Sequence, residues 1–217
     1  SLYVLLGQGE MISQVPQRVH VKNKKICTAS VRSGAGRRKL IRTSFLAFFR
    51  HGRTIKKMQY VIQNFFRMKK TGNIQPDKLL WRVISDGADR FSETFDLAVA
   101  YLEGGSAYYV ADHVNAKKKA AFVHIAYGNS GYTREMDRDC YEKMDQIFTV
   151  SQETRRHFLE FYPEYEKKVQ ILQDAKRQLY EQFALGEIDL GTYKEQKARY
   201  DAELVRVKNV CTMAAAQ

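Results

Sequence analysis

Two short apolar runs, Leu97–Tyr101 and Ala120–Ile125, set the pattern of the chain. Each is too short for an independent helix and is flanked by charge or glycine, so both predict buried strands. Between them Gly104-Gly105-Ser106 opens a segment, Tyr108 to Ala116, with apolar residues at helical spacing. Strand, glycine turn, helix and strand make a βαβ unit, the crossover that parallel strands require. A third run, Gln146–Val150, ends at Ser151, which suits the N-cap of a helix over Gln152–Phe161. Tyr162-Pro163 stops that helix, and Lys168–Leu172 predicts a further strand. The fold class expected is α/β, a Rossmann-like open parallel sheet. Ligands on such sheets sit at the carboxyl ends of strands. Those ends carry Glu103-Gly104-Gly105, His124 to Gly128, and Ser151.

The flanking segments read less sharply. Leu2–Leu6 is a short strand candidate, Gly7 to Gly9 a turn, and Glu10–Gln14 a short polar helix or loop ended by Pro16. Val19–Val21 alternates like an edge strand, and Lys22–Arg38 predicts a basic loop. Ile55, Met58, Ile62 and Phe65 recur at helical spacing and predict an amphipathic helix. Leu40, Ile41, Phe45, Phe48 and Phe49 predict a helix before it, broken near Gly52. Lys78–Phe91 predicts another, with Trp81 in the core, and Arg134–Lys143 a charged one. Near Gln173 the pattern changes. Leu172, Ala175, Leu179 and Phe183 keep helical spacing, and Gly186 suits a C-cap. Asp189 can cap a second helix with Tyr193, Tyr200, Leu204, Val207 and Cys211 on one stripe. That is an antiparallel helical hairpin close to a short coiled coil.

At 217 residues the chain has room for one or two domains, and 44% apolar residues is ordinary for a globular protein. Cys27, Cys140 and Cys211 form no CxxC pair and have no His at ligand spacing, which argues for a reducing compartment and against a zinc site. No metal and no cofactor is expected. No apolar run approaches the ~20 residues that span a bilayer, and no signal peptide is visible. The chain opens at Ser1 in a strand-like run, which suggests that something precedes it. The net charge of +12 is uneven: from Met11 to Pro76 there are 16 Lys and Arg and no Asp or Glu. Residues 37–70 therefore read three ways: a core helix with a solvated cationic face, a patch facing an anionic membrane, or a nucleic-acid patch. The aromatics sit at core spacing rather than on a stacking platform, which argues against nucleic acid. The location expected is cytoplasmic, with the option of peripheral attachment at the inner face of the membrane.

The string FDLAVAYLEGGSAYYVADHV, with KKKAAFVHIAYG and REMDRDCYEKMDQIFTVSQETRRHFLEFYPEYEKKVQIL, resembles the N-terminal half of a retaining GT-B glycosyltransferase of the family-four type. The order of parts carries the resemblance: a D-x-A-x-A-Y strand with a glycine turn, a V-H strand, Y-x-K-M-D-x-I-x-x-V-S, then Y-P-E and K-V. LYVLLGQGEMISQVPQRVHV also resembles that family's second strand and the loop after it. The resemblance covers residues 1–172. It implies a nucleotide-sugar donor, and a saccharide or lipid-linked acceptor, in a cleft between two Rossmann-like domains. It further implies that His124 contacts the transferred sugar, that Gly104, Gly105 and Ser106 form a cleft loop, and that Tyr127 and Gly128 border the acceptor. Imidazole can meet a sugar hydroxyl as donor or acceptor. Without the resemblance His124 reads as a histidine satisfied at a strand end. Gly-Gly heading a helix lets a ligand approach backbone N–H groups.

The family's first strand with its glycine-rich turn should precede Ser1, and its donor-binding domain should follow Leu172; the sequence has neither. Instead QLYEQFALGEIDLGTYKEQKARYDAELVRVKNV resembles the helical hairpin near the end of large serine recombinases of mobile elements. Residues 173–217 would then be a recombinase-like tail, and the whole a chimera. Of the carboxylates Glu103, Glu135, Asp137 and Asp139, none is taken as a catalytic base, because charge runs like 134–139 are usually surface. Three functions follow: a glycosyltransferase fragment, a DNA-binding recombinase-associated protein, or an inert remnant.

Overall fold

The computed structural model describes the backbone of residues 1–30, 33–72, 75–127 and 130–215, and within them the side chains of all but 71, 76–77, 173–175, 177–178, 181 and 203–215. Four strands, β1 (Thr94–Ala100), β2 (Asn115–Val123), β3 (Gln146–Thr149) and β4 (Val169–Ile171), form one sheet in the order β1-β2-β3-β4. All three pairings are parallel, with Val99 beside Ala120, Phe122 beside Phe148 and Ile147 beside Val169. The fold class is therefore the α/β, open, Rossmann-like parallel sheet that the apolar runs predict.

Eight α-helices are described: α1 (Gly34–Phe49), α2 (Thr54–Thr71), α3 (Pro76–Asp86), α4 (Gly105–His113), α5 (Arg134–Asp137), α6 (Gln152–Phe161), α7 (Leu172–Ala184) and α8 (Leu190–Ala215). The crossover helix α4 packs on β1 and β2, and α6 packs on β3 and β4. The strand order never reverses, so crossovers of one hand carry their helices to the same face. On that face Ala98, Ala121, Val123 and Ile147 are buried against Tyr108 of α4 and Phe158 of α6. The opposite face is open. Leu97 and Val99 are exposed there, and Phe122 stacks on Phe148 with ring centroids 5.1 Å apart. Parallel sheets are usually covered on both faces.

Outside α4 lies α3, and α1 and α2 pack on α3 in turn. Gly87, at the end of α3, sits so close to α1 that a Cβ there would fall 2.5 Å from Ala47 Cα. Lys57 of α2 is buried and gives its ammonium to the Ala47 and Arg50 carbonyls, both at 2.7 Å. A cation on the final carbonyls of a helix complements its dipole. This contact fixes the end of α1 to the start of α2.

Several expectations are corrected. Leu2–Leu6 and Val19–Val21 are not strands of the sheet. Leu2 and Val21 meet in an isolated bridge, and Gln8 and Cys27 in another. The basic loop is shorter than expected, because Ser33 accepts the Gly36 N–H at 3.1 Å and starts α1 at Gly34. Arg134–Lys143 is helical only to Asp137, because Arg138 takes a left-handed φ of 53° and ends the helix. The stripe Ile55, Met58, Ile62 and Phe65 faces outward, so the core-helix reading of these residues fails. Lys57, Tyr60, Asn64 and Met68 face inward in their place.

The hairpin follows β4 directly. Gly186 takes a φ of 74°, and the Glu187 N–H reaches the Gln182 carbonyl at 2.9 Å, so the glycine ends α7 as expected. Asp189 Oδ1 accepts the Thr192 N–H at 2.7 Å and caps α8. Phe183 stacks on Tyr193 across the turn at 4.6 Å. The side chains of Leu204, Val207 and Cys211 lie outside those described.

Candidate functional site at the carboxyl edge of the sheet

Glu103 follows β1 and His124 follows β2, so neighbouring parallel strands bring them to one edge of the sheet. Glu103 Oε2 accepts the His124 main-chain N–H at 3.1 Å and lies 3.5 Å from His124 Nδ1. Both side chains are about 10% exposed, so the pair is sheltered but still reaches the surface. Burial alone would raise the Glu103 carboxyl, but hydrogen bonds from His124 and from its own amide hold it below the usual range. The Tyr101 and Phe122 rings stand 5.9 and 6.1 Å from the imidazole. This arrangement fixes an imidazole between two rings and a carboxylate at the edge where ligands of parallel sheets bind.

Gly104 has a φ of 71°, a conformation that favours glycine, and it precedes the first turn of α4. The space a side chain would take is already filled. A Cβ on Gly104 would lie 2.2 Å from the Tyr132 hydroxyl, and one on Gly105 would lie 2.7 Å from the Trp81 ring. The two glycines are buried, and they admit Tyr132 and Trp81 against the head of α4. Ser106 is half-buried and borders a cleft of about 230 Å³ beside β1, which Tyr3, Leu5, Tyr101 and Tyr109 also line.

Tyr127 is wholly buried, and its hydroxyl donates to Asp137 Oδ2 at 2.6 Å. It borders a polar core and not a surface where an acceptor could sit. Gly128 lies outside the described residues. Structure thus brings Glu103 and His124 together, sets Ser106 on an open cleft, and sends Tyr127 inward.

Asp137 is a residue that the sequence misplaces. It is 0% exposed, whereas Glu135 and Asp139 on either side are exposed. Tyr108 donates to its Oδ1 at 2.6 Å, and Tyr127 and Tyr162 donate to its Oδ2 at 2.6 Å. Tyr141 meets the Tyr127 hydroxyl at 2.9 Å. Arg82 lies over the Tyr108 ring at 4.0 Å and donates to the Met136 and Asp137 carbonyls. Burial pushes the Asp137 carboxyl up despite the hydrogen bonds from Tyr108, Tyr127 and Tyr162. Burial also pushes the Tyr108, Tyr127 and Tyr141 hydroxyls well up, with Asp137 adding to it. The tyrosines come from α4, from the loop after β2, from the turn before β3 and from the end of α6. Their convergence ties four parts of the chain to one carboxylate. No spacing in the sequence signals it.

Among the described residues no three His, Cys, Asp or Glu side chains are grouped to hold a metal ion. None of the described helices is long and apolar enough to cross a membrane. Comparison of the chain with protein-family models, with curated proteins and with solved structures gives no match.

Proposed function

We propose that residues 1–172 are the acceptor-side half of a GT-B glycosyltransferase, that the edge carrying His124 contacts the transferred sugar, and that the hairpin 173–217 is a recombinase-like addition. The Glu103–His124 pair at the ends of β1 and β2 carries this reading. In sugar transfer from a nucleotide-sugar, the protein chiefly orients the sugar and neutralises the leaving diphosphate. The acceptor is a saccharide or a lipid-linked acceptor. His124 is suited to orientation, since Glu103 and two rings restrain its imidazole and a sugar hydroxyl can meet an imidazole nitrogen. Ser106 supplies a hydroxyl on the adjoining cleft. The family's donor-binding domain is expected after Leu172, so the reading is of sugar contact and not of complete catalysis.

DNA binding by the hairpin has less support. Among its described side chains, Lys197 pairs with Asp201 at 2.8 Å, Arg199 with Glu195 at 2.5 Å, and Lys176 with Asp201. Phosphate binding draws on cations left to the ligand.

Calorimetric titration of the purified chain with a panel of uridine and guanosine diphosphate sugars tests the reading. Saturable binding that is lost in His124→Ala, with the fold of the variant intact by circular dichroism, is expected. A folded wild-type chain that binds none of the panel would sink the reading and leave an inert remnant.

A further inference from the structure

Helices α1 and α2 present their apolar residues to solvent. On α1, Ile41, Phe45, Leu46 and Phe49 are 49–62% exposed. On α2, Ile55, Met58, Ile62, Phe65 and Phe66 are 39–75% exposed and recur at one face of the helix. The inward face of α2 holds Lys57 and Asn64 beside Tyr60 and Met68. The usual arrangement is therefore reversed, with polar groups turned in and an apolar stripe turned out. Single exposed apolar residues are normal, but two neighbouring stripes are not. Buried Lys57 holds the end of α1 to the start of α2, so the two exposed stripes are carried on helices fixed to each other.

Charge identifies what covers this surface. Arg38, Arg42, Lys56, Arg67, Lys69 and Lys70 are exposed on the same two helices. No Asp or Glu occurs between Met11 and Pro76. An apolar stripe flanked by cations, on helices too polar overall to span a bilayer, is the signature of a helix lying in a lipid interface. Nucleic acid fits less well, because phosphates want cations at the centre of a contact, and here the centre is Ile, Phe and Met.

We propose that the outward faces of α1 and α2 dock on an anionic lipid surface, with Ile55, Met58, Phe45 and Phe49 entering the headgroup boundary and the flanking Arg and Lys meeting lipid phosphates. This inference is independent of the sugar-contact reading.

Flotation of the full chain with vesicles of phosphatidylcholine alone, and of phosphatidylcholine with phosphatidylglycerol in equal amounts, tests it. Binding to the anionic vesicles is expected, and it should weaken as salt is raised. Each basic side chain near an anionic surface is worth about fivefold in affinity, so Arg42→Glu and Lys56→Glu should each weaken binding by at least that factor. Ile55→Ser should weaken it about tenfold. These positions are exposed, so thermal unfolding of the variants should match wild type. Absence of binding to either vesicle, equal binding by wild type and Ile55→Ser, or preference for duplex DNA over vesicles in competition would each overturn the proposal.

Discussion

The Tyr127 hydroxyl donates to Asp137 Oδ2 at 2.6 Å, and neither residue has any solvent exposure. Sheltered from water, that carboxylate depends on its tyrosine donors, and they depend on it. Asp137→Ala strands the Tyr108 and Tyr162 hydroxyls and opens a void. A loss of about 3–5 kcal/mol is expected, the scale seen when one member of a buried charged network is removed. Tyr108→Phe removes the only donor described at Oδ1 and should cost about 1–3 kcal/mol. Urea denaturation followed by far-ultraviolet circular dichroism measures both. A change below 0.5 kcal/mol for Asp137→Ala, the range of ordinary surface substitutions, would show that the network contributes little to stability.

Glu103 and Asp137 give opposite pH dependences. The Glu103 carboxyl is held low in the folded state, so its stabilisation is present above the unfolded pKa of about 4.3 and is lost as pH falls through the folded value. The Asp137 carboxyl is pushed up by burial, so its contribution is fully present below the unfolded pKa of about 3.9 and is lost as pH rises through the folded value. Denaturation midpoints of wild type and Glu103→Gln should therefore converge as the pH is lowered toward 3. A gap that stays constant would contradict the direction assigned to Glu103.

Gly87 admits no side chain. Its missing Cβ would meet Ala47 Cα at 2.5 Å and Ala47 Cβ at 2.6 Å, both on the rigid body of α1. Gly87→Ala must push α1 away from α3, and such overpacking costs about 1–3 kcal/mol. Here φ is −91°, so the strain is steric and not conformational. Differential scanning calorimetry of the variant should give a lower Tm, and an unchanged or raised Tm would mean that the helices separate freely.

Cysteine reactivity should divide by burial. Cys140 is 0% exposed, and burial holds its thiol well above the usual range, with Asp137 adding to the effect. Cys27 is half-buried in the bridged N-terminal segment. Maleimide treatment of the native chain followed by peptide mapping should label Cys27 and spare Cys140 until denaturant is added. Rapid native labelling of Cys140 would show that the tyrosine cluster opens readily.

The sheet was legible because its signals are local. Short apolar runs, the glycine turn at Gly104, and Ser151 as a cap each act within a few residues, and the strands and α6 formed where those signals lie. The helical hairpin was legible for the same reason, through Gly186 and Asp189. Long-range effects were not. Periodicity located the stripe on α2 but could not say which way it faces, because Lys57 finds its inward partners only once α1 is in place. Asp137 was hidden in a charged run because the left-handed turn at Arg138 and the ring of tyrosines that receive it come from the tertiary fold. At the candidate site, Glu103 and His124 could be placed at one edge from strand order alone. The packing of Tyr132 and Trp81 over the two glycines could not, since both come from distant segments.

The strand order β1-β2-β3-β4 also has a kinetic meaning. Each strand pairs with the one made just before it, and partners such as Thr94 with Asn115 or Ile147 with Val169 lie close in the chain. Loop-closure entropy is then met in small instalments and never in one long-range step. A growing chain could add β2, β3 and β4 to β1 as each emerges, with Tyr108 and Tyr127 made before Asp137 and Tyr162 the last of its three donors to emerge. On this topology Tyr162, the last of the three donors to reach the carboxylate, completes the polar core, and its substitution should raise the unfolding rate more than it slows folding.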